Sequence, residues 1–160
     1  MKEVKIECIL QAYDDFDELP TEVASLMTKA SEARGKSYSP YSNFSVGAAL
    51  LLDNGEIITG NNQENASYPS GLCAERTAIY YAGSQYPDAK IIRMAIIAGS
   101  NIRPTMSPIP PCGACRQAIA EYEVKQNEPI ELYFMGETGK VVRSESLANL
   151  LPLLFDKSFL

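Results

Sequence analysis

The sequence contains Cys73-Ala74-Glu75 and, further along, Pro111-Cys112-Gly113-Ala114-Cys115. Together these stretches supply three thiols and one carboxylate, which are the side chains of a hydrolytic zinc site. A structural zinc site is closed by four protein ligands, whereas a catalytic site keeps one position for water. Cys73, Cys112 and Cys115 make three ligands, and Glu75 stands where it can move protons to and from that water. The chain has no His, so these cysteines are the predicted ligands of one zinc ion per chain.

A Cys-x-x-Cys pair on its own has other interpretations. Cys112 and Cys115 alone could form a thioredoxin-like redox pair or half of a structural zinc knuckle. Neither of these uses three ligands beside a carboxylate, so the addition of Cys73 and Glu75 favours the catalytic site. Glu75 without its neighbour would be interpreted as a solvated residue in the first turn of a helix.

Each zinc cysteine lies at the start of a predicted helix. The unpaired N–H groups and the positive end of the helix dipole at such a position favour thiolate over thiol. Three thiolates on Zn²⁺ leave an excess negative charge, which opposes ionisation of a bound water. Arg76, directly after Glu75, is the first candidate for offsetting that charge, and Arg116 is the second. Arg76 taken alone would be interpreted as a surface residue of the helix.

Length, charge and apolar runs limit the number of domains, the partners and the location that the sequence allows. A chain of 160 residues has the length of one domain, so we expect a single catalytic domain over 1–160. Its net charge of −6 and pI of about 4.7 oppose binding to a phosphate backbone, so a small-molecule substrate is expected and no nucleic acid. The sequence shows neither a secretory leader pattern nor an apolar run near ~18 residues, which predicts no membrane partner and a cytoplasmic location. In a reducing compartment, cysteines with this spacing bind metal rather than pair as disulfides.

Apolar periodicity predicts an α/β protein. Val4, Ile6, Cys8 and Leu10 alternate with Lys5, Glu7, Ile9 and Gln11, which indicates a half-buried strand with Cys8 facing the core. Helical spacing covers 21–34, and Asn-Gly between two apolar runs predicts a hairpin of 46–52 with 56–60. The remaining predicted elements are helices over 73–82 and 112–122, strands over 91–98, 130–135 and 140–143, and a short helix capped by Ser144 or Ser146. Strands that alternate with helices favour a three-layer α-β-α fold with a mixed sheet of about five strands.

At this point the chain resembles a known family, the small zinc-dependent cytidine deaminases of the homotetrameric type. The resemblance covers, in one order, Tyr38–Leu50, Asn62–Pro69, Cys73–Ala78, Pro111–Gln117, Leu150–Pro152 and Phe155. Zinc nucleobase deaminases carry such a ligand set, with a Glu that is not a ligand. The resemblance implies the cytidine deaminase-like fold, one zinc per chain and self-association as a homotetramer. It does not cover the first thirty-five residues, and Ser45 stands where many relatives carry Pro.

The resemblance also implies how a nucleoside would bind. Asn62 and Glu64 fall on positions that hold the sugar hydroxyls, and Tyr68 falls in the same loop. A carboxylate that accepts from a hydroxyl selects a nucleoside over a free base, because the bond is lost with the free base. From the residues alone, the polar stretch from Asn61 to Tyr68 would be interpreted as a solvated loop.

The resemblance also implies which residues contact the pyrimidine base and which contact a neighbouring subunit. Phe44 and Val46 match apolar walls against the pyrimidine, and backbone near Ala74 is expected to hold the base edge. From the pattern alone, Phe44 and Val46 would be ordinary core residues. Phe155 falls on an aromatic residue that closes the active site of a neighbouring subunit. The final residues are rich in apolar side chains, which favours an interface, although a segment folded on its own core is the alternative.

The resemblance therefore implies hydrolysis of cytidine and 2′-deoxycytidine to uridine and 2′-deoxyuridine, with release of ammonia, in pyrimidine salvage. Glu75 would take a proton from water, protonate N3 of the base and then serve the departing amine. Two alternatives remain. One is a deaminase of the same fold that acts on another cytosine-bearing compound, and the other is a zinc-stabilised binding module without activity.

Overall fold

Six strands form one mixed sheet in the computed structural model, which describes all 160 residues. The strands are β1 (Gln11–Tyr13), β2 (Phe44–Leu52), β3 (Ile57–Asn61), β4 (Ile91–Ser100), β5 (Glu131–Met135) and β6 (Val141–Ser144). The helices are α1 (Thr21–Arg34), α2 (Ala74–Gln85) and α3 (Gly113–Gln126). Single 3-10 turns lie at Phe16–Glu18, Tyr68–Ser70, Leu147–Asn149 and Lys157–Phe159.

The strands are ordered β1-β6-β5-β4-β2-β3, and only β4 and β5 run parallel. Two parallel strands need a long crossover, which here contains α3. The antiparallel pair of β2 and β3 is closed by the turn at Asn54-Gly55, where Gly55 has a φ of 87°. This is a backbone conformation that glycine adopts without steric cost.

Each face of the sheet carries its own apolar core. Neighbouring residues on a strand point to opposite faces, so Ala49 packs with α1 whereas Leu50 packs with α2 and α3. Because helices cover both faces, β2 and β4 read as nearly continuous apolar runs rather than as alternating ones. The result is a layer of α1, a layer of sheet and a layer of α2 with α3.

This architecture confirms the predicted three-layer fold, with six strands rather than about five. The helix predicted over 21–34 has those bounds, and the hairpin of β2 and β3 is confirmed. Helices α2 and α3 extend beyond the predicted ends, to Gln85 and Gln126. The predicted C-terminal helix is a single 3-10 turn, and its cap is Ser146, whose hydroxyl accepts from the N–H of Ala148 at 3.0 Å.

The strand predicted from Val4 to Leu10 is wrong. Only Gln11–Tyr13 forms a strand, and Cys8 is exposed rather than turned to the core. The strand β6 spans four residues, and its pairing with β1 ends at Arg143 opposite Gln11. An alternating segment becomes a strand only where another strand lies beside it, and within this chain none extends alongside 4–10.

The carboxylate of Glu123 in α3 ties the helix to the segments that follow it. It accepts hydrogen bonds from the N–H groups of Ile130 at 2.8 Å and Leu147 at 2.9 Å, and from the hydroxyl of Ser146 at 2.6 Å. Ile130 and Leu147 are fully buried, so no water replaces this acceptor when it is lost. Glu123 therefore fixes both the start of β5 and the 3-10 turn after β6.

We predict that Glu123→Ala lowers the free energy of unfolding by about 2–4 kcal/mol, because a buried donor left without a partner costs roughly 1–3 kcal/mol. Denaturant unfolding measures the change. Glu121→Ala is the matched control, since Glu121 is exposed on the same helix, and a change below about 0.5 kcal/mol is expected there. Equal effects of the two substitutions would contradict the role of Glu123.

Candidate active site

The three predicted zinc ligands lie at the N-terminal ends of two helices. Cys73 is the N-cap residue of α2, Cys112 is the N-cap residue of α3, and Cys115 lies in the first turn of α3. The sulfur of Cys112 is 3.9 Å from that of Cys73 and 3.4 Å from that of Cys115. All three sulfurs lie within 4.8 Å of one another. The structure therefore brings together residues from two separate stretches of the sequence.

The geometry and chemistry of this cluster fit zinc. Thiolates bind Zn²⁺ at about 2.3 Å in tetrahedral geometry, which places sulfurs roughly 3.8 Å apart. None of the cysteines is in a disulfide. The Cys73 pKa is lowered to about 5 by the hydrogen bond from Cys115 and by the nearby Arg76. The same contact with Cys73, together with burial, raises the pKa of Cys115. One anionic sulfur is thus already stabilised at the start of α2.

Glu75 lies in the first turn of α2 and faces the same cleft as the sulfurs of Cys73 and Cys112. Only 4% of the residue is exposed. Burial raises the pKa of its carboxyl group, and the negative charge of Cys73 raises it further. A carboxyl group with a raised pKa holds a proton more readily than a solvated one, which suits a group that must accept and release protons near neutral pH.

A cleft of about 570 Å³ opens beside the sulfurs and Glu75. Most of the predicted site residues line it: Phe44, Val46, Asn62, Glu64, Tyr68, Cys73, Glu75, Arg76 and Cys112. Ala74 and Cys115 are fully buried and do not line the cleft, and Phe155 lies outside it. Phe155 is 60% exposed, and its ring stacks on Phe159 at a centroid distance of 5.8 Å.

Several lining residues were missed from the sequence, among them Tyr41, Ile96, Ala98, Ile109 and Pro110. Two signals could have found them. Ile109 and Pro110 immediately precede the second cysteine motif, so the chain must approach the metal through them. Ile96 and Ala98 are two apart on β4 and therefore share one face of the sheet. Tyr41 lies only 6.0 Å from the ring of Tyr68, a contact that sequence spacing does not indicate.

Asn62 and Glu64 make contacts within the chain that shape the polar wall of the cleft. The Asn62 amide accepts from the N–H of Val46 at 2.8 Å and donates to the carbonyl of Phe44 at 2.9 Å. The Glu64 carboxylate accepts from the N–H of Tyr41 at 2.9 Å and from the hydroxyl of Ser42. Burial alone would raise the pKa of Glu64, but these hydrogen bonds outweigh it and the pKa is lowered. Both side chains are held in place before any ligand arrives.

A small polar network joins the start of β2 to the loop after β4. The hydroxyl of Ser45 donates to Asn101 at 3.0 Å and lies 3.2 Å from the hydroxyl of Ser39. The N–H of Asn101 donates to the carbonyl of Asn43 at 2.7 Å. Ser45 thus supplies a side-chain hydrogen bond to the loop after β4, which proline at this position could not make.

The two candidate arginines make different contacts. Arg76 places its Nη2 atom 3.7 Å from the sulfur of Cys73, and its buried Nε has no partner within the chain. Arg116 instead donates from Nε to the carbonyl of Pro111 at 2.9 Å and from Nη1 to the carbonyl of Leu150 at 3.0 Å. The guanidinium that faces the thiol cluster is therefore that of Arg76, while Arg116 binds backbone.

Residues 20–127 match the family model described as the cytidine and deoxycytidylate deaminase zinc-binding region. The chain belongs to the cytidine deaminase family. It is 48% identical over 130 residues to a cytidine deaminase of Halalkalibacterium halodurans, covering 81% of this chain and 91% of the relative. It is 39% identical over 136 residues to a cytidine deaminase of Sporosarcina psychrophila, covering 85% and 93%.

Solved structures of cytidine deaminases share the fold. The structure of the Burkholderia pseudomallei protein superposes with a TM-score of 0.71 at 36% identity, covering 86% of this chain and 100% of the other. That of the Mycobacterium tuberculosis protein gives 0.66 at 29% identity, covering 86% and 99%. These matches confirm the predicted family, fold and enzyme class, and zinc as the cofactor. No helix combines the length and apolar character needed to span a bilayer.

We predict that Arg76→Gln shifts the acidic limb of the pH–activity profile to higher pH, by roughly half a unit to one unit. Removing a positive charge beside the thiolates makes proton loss at the site harder, so the active form appears at higher pH. The pH dependence of kcat/KM and the zinc content per chain measure the effect. Arg76→Lys is the control, because it keeps the charge. An unchanged profile and zinc content in Arg76→Gln would show that Arg76 does not offset the charge of the thiolates.

Proposed function

We propose that this enzyme hydrolyses cytidine and 2′-deoxycytidine to uridine and 2′-deoxyuridine, with release of ammonia, as a step of pyrimidine salvage. The observation that carries this proposal is the buried carboxyl group of Glu75 beside three converging thiols at one cleft. The relatives with the highest identities quoted above are named cytidine deaminases. The family description names deoxycytidylate, the phosphorylated form of deoxycytidine, as well as cytidine, so substrates with a deoxyribose occur within the family.

The cleft suits a free nucleoside better than a nucleotide. Its volume of about 570 Å³ lies in the range of small-molecule sites. The Glu64 carboxylate at its polar wall and the net charge of −6 both repel a phosphate group. We assign Asn62 and Glu64 to the sugar hydroxyls, with Tyr68 beside them, and Phe44 and Val46 to the faces of the pyrimidine. Backbone near Ala74 would hold the base edge.

Cys73, Cys112 and Cys115 would hold the zinc ion, which supplies a Lewis acid that lowers the pKa of water to near neutral. Glu75 accepts a proton from the attacking water and passes it to N3 of the base while the new bond forms at C4. It then takes the second proton of the same water from the new hydroxyl on C4 and gives it to the exocyclic amine, so that the C4–N bond breaks, the C4 carbonyl forms and ammonia leaves. The raised pKa of Glu75 suits both the acceptance and the return of the proton. Arg76 offsets the negative charge of the thiolates throughout.

Glu75→Gln should keep zinc and fold but reduce kcat by about 10²–10⁴-fold, because it removes a general acid and base and no ligand. Cys115→Ala should lose zinc and activity together, since it removes one of three ligands. Absorbance-monitored turnover of cytidine with zinc quantified per chain tests both variants. Near-normal turnover in Glu75→Gln would remove the mechanism, and a fully active, zinc-loaded Cys115→Ala protein would contradict the ligand set. Zinc binding by the unaltered protein without ammonia release would indicate a binding module instead.

We also propose that the chain assembles as a homotetramer in which Phe155 completes the cleft of a neighbouring subunit. In support, Leu153, Phe155 and Phe159 are exposed near one another in sequence, and Phe155 lies outside its own chain's cleft. Such an exposed apolar patch is typical of an interface. The cytoplasmic location stays a prediction from the sequence.

Phe155→Ala should raise KM for cytidine by about 10- to 100-fold, as expected for ~1–3 kcal/mol of stacking on a base. Phe155→Tyr is the control, because a tyrosine ring keeps the stacking, and KM should stay within a few fold of the unaltered value. Removing residues 152–160 should weaken the assembly itself. Sedimentation and kinetics on the same samples are the measurement. A stable, fully active monomer would refute both the shared site and the oligomer.

A further inference from the structure

Residues 2–10, which we call the N-terminal arm, make no backbone hydrogen bond within the chain. Every residue of the arm is exposed, and the exposed fractions of Val4 and Ile9 reach 82% and 70%. The arm leads directly into β1, the outermost strand of the sheet. It precedes the residues that match the deaminase family model, so neither the zinc site nor the cleft accounts for it.

The sequence of the arm is that of a strand without a partner. Val4, Ile6, Cys8 and Leu10 share one face of an extended chain, preceded there by Lys2. The other face carries Glu3, Lys5, Glu7 and Ile9. Lys5 and Glu7 form an ion pair along the arm itself. Exposed apolar side chains in a strand-like pattern favour pairing with a second strand. The fold of a single chain provides no such strand beside the arm.

We propose that the arm of one copy pairs antiparallel with the arm of a second copy, about a two-fold axis through Ile6. Residues directly opposite each other in this pairing have numbers that sum to 12. Lys5 of each copy then faces Glu7 of the other, which gives two ion pairs across the contact. Val4 faces Cys8, Ile6 faces its own copy, and the two apolar faces form one continuous strip. The contact is isologous, as expected for a two-fold dimer.

Charge selects this register over its neighbours. In each possible register, the numbers of two opposite residues add up to one fixed sum. Registers that keep the two apolar faces on the same side have sums that differ by two, because a shift of one residue turns a strand over. A sum of 10 places Lys5 opposite Lys5, and a sum of 14 places Glu7 opposite Glu7, so both oppose like charges. A sum of 8 pairs Glu3 with Lys5 but leaves Cys8 to Leu10 without a partner. The register about Ile6 pairs opposite charges and includes the whole arm.

Covalent trapping tests the register, because two paired strands alone form only a marginally stable unit. Residues directly opposite in antiparallel strands have Cα atoms about 4.5–5.5 Å apart, within the range that a disulfide spans. The test protein is zinc-loaded and carries Ile6→Cys with Cys8→Ser, under mild oxidation at low micromolar concentration. Two comparison proteins carry one arm cysteine elsewhere: Val4→Cys with Cys8→Ser, and the unaltered chain with Cys8. A third, Cys8→Ser alone, has no arm cysteine and measures how much cross-linking the remaining cysteines cause.

The proposal expects a covalent dimer from the Ile6→Cys protein at least about tenfold faster than from the two other arm cysteines, since only position 6 faces itself. Mixing the Val4→Cys, Cys8→Ser protein with the unaltered chain should give mixed dimers, because positions 4 and 8 face each other. Equal rates at positions 4, 6 and 8 would show collision of unpaired arms and overturn the proposal. Absence of a dimer from the Ile6→Cys protein would overturn it as well.

Charge reversal provides an independent arm of the test in the Ile6→Cys, Cys8→Ser background. Lys5→Glu places like charges opposite each other twice and should slow cross-linking several-fold, whereas Lys5→Glu with Glu7→Lys restores opposite charges and the original rate. Because the arm is exposed and makes no backbone hydrogen bond with the rest of the chain, these variants should fold and keep the deaminase activity of the unaltered chain. Failure of the double reversal to restore the rate would overturn the register. Turnover of cytidine is a separate readout, so loss of this proposal and loss of the proposed function are distinguishable.

Discussion

Helix α2 rests directly on the backbone of β3 at Gly60, and the position of Cys73 and Glu75 depends on this contact. A Cβ atom on Gly60 would lie 2.5 Å from the carbonyl oxygen of Ala74 and 2.6 Å from the nitrogen of Ala78. Only glycine allows this approach, because any side chain would push the first turn of α2 away from the sheet. That turn carries Glu75 and begins at Cys73. The absence of a side chain at Gly60 therefore sets how far both residues lie from the sheet.

The site gathers groups that repel one another, and the fold supplies the compensation. Three thiols cluster beside a cleft that Cys73, Cys112 and Glu75 line, in a chain that is already negative. The N-termini of α2 and α3 point at the sulfurs, which favours the thiolate form, and Arg76 adds a full positive charge beside Cys73. Burial acts in the opposite direction on Glu75 and raises its pKa. The pKa of Cys73 is thus lowered and that of Glu75 is raised, although the two residues are two apart in one cluster.

The sequence predicted what depends on local pattern and motif. The helix over 21–34, the hairpin at Asn54-Gly55 and the convergence of the cysteines followed from spacing, because each is encoded in neighbouring residues or in a recognisable ligand set. The features that the sequence did not predict depend on contacts between segments that are distant in the chain. The strand at Val4 to Leu10 had the right period, but period does not reveal whether another strand lies alongside. Likewise, the contact of Glu64 with the loop at Ser42 follows from how two loops meet, which no local pattern states.

Helix α3 connects the metal cluster to the C-terminal segment. Directly after Cys115, Arg116 donates to the carbonyl of Leu150 at 3.0 Å and Gln117 donates to the carbonyl of Phe155 at 2.9 Å. The turn of helix that presents two of the thiols therefore also holds the backbone from which the ring of Phe155 projects. A displacement of this turn would strain both hydrogen bonds, so the position of the ligands is coupled to that of the segment that carries Phe155. A neighbour's cleft completed by Phe155 would thus be aligned by the metal-binding helix of the donating chain.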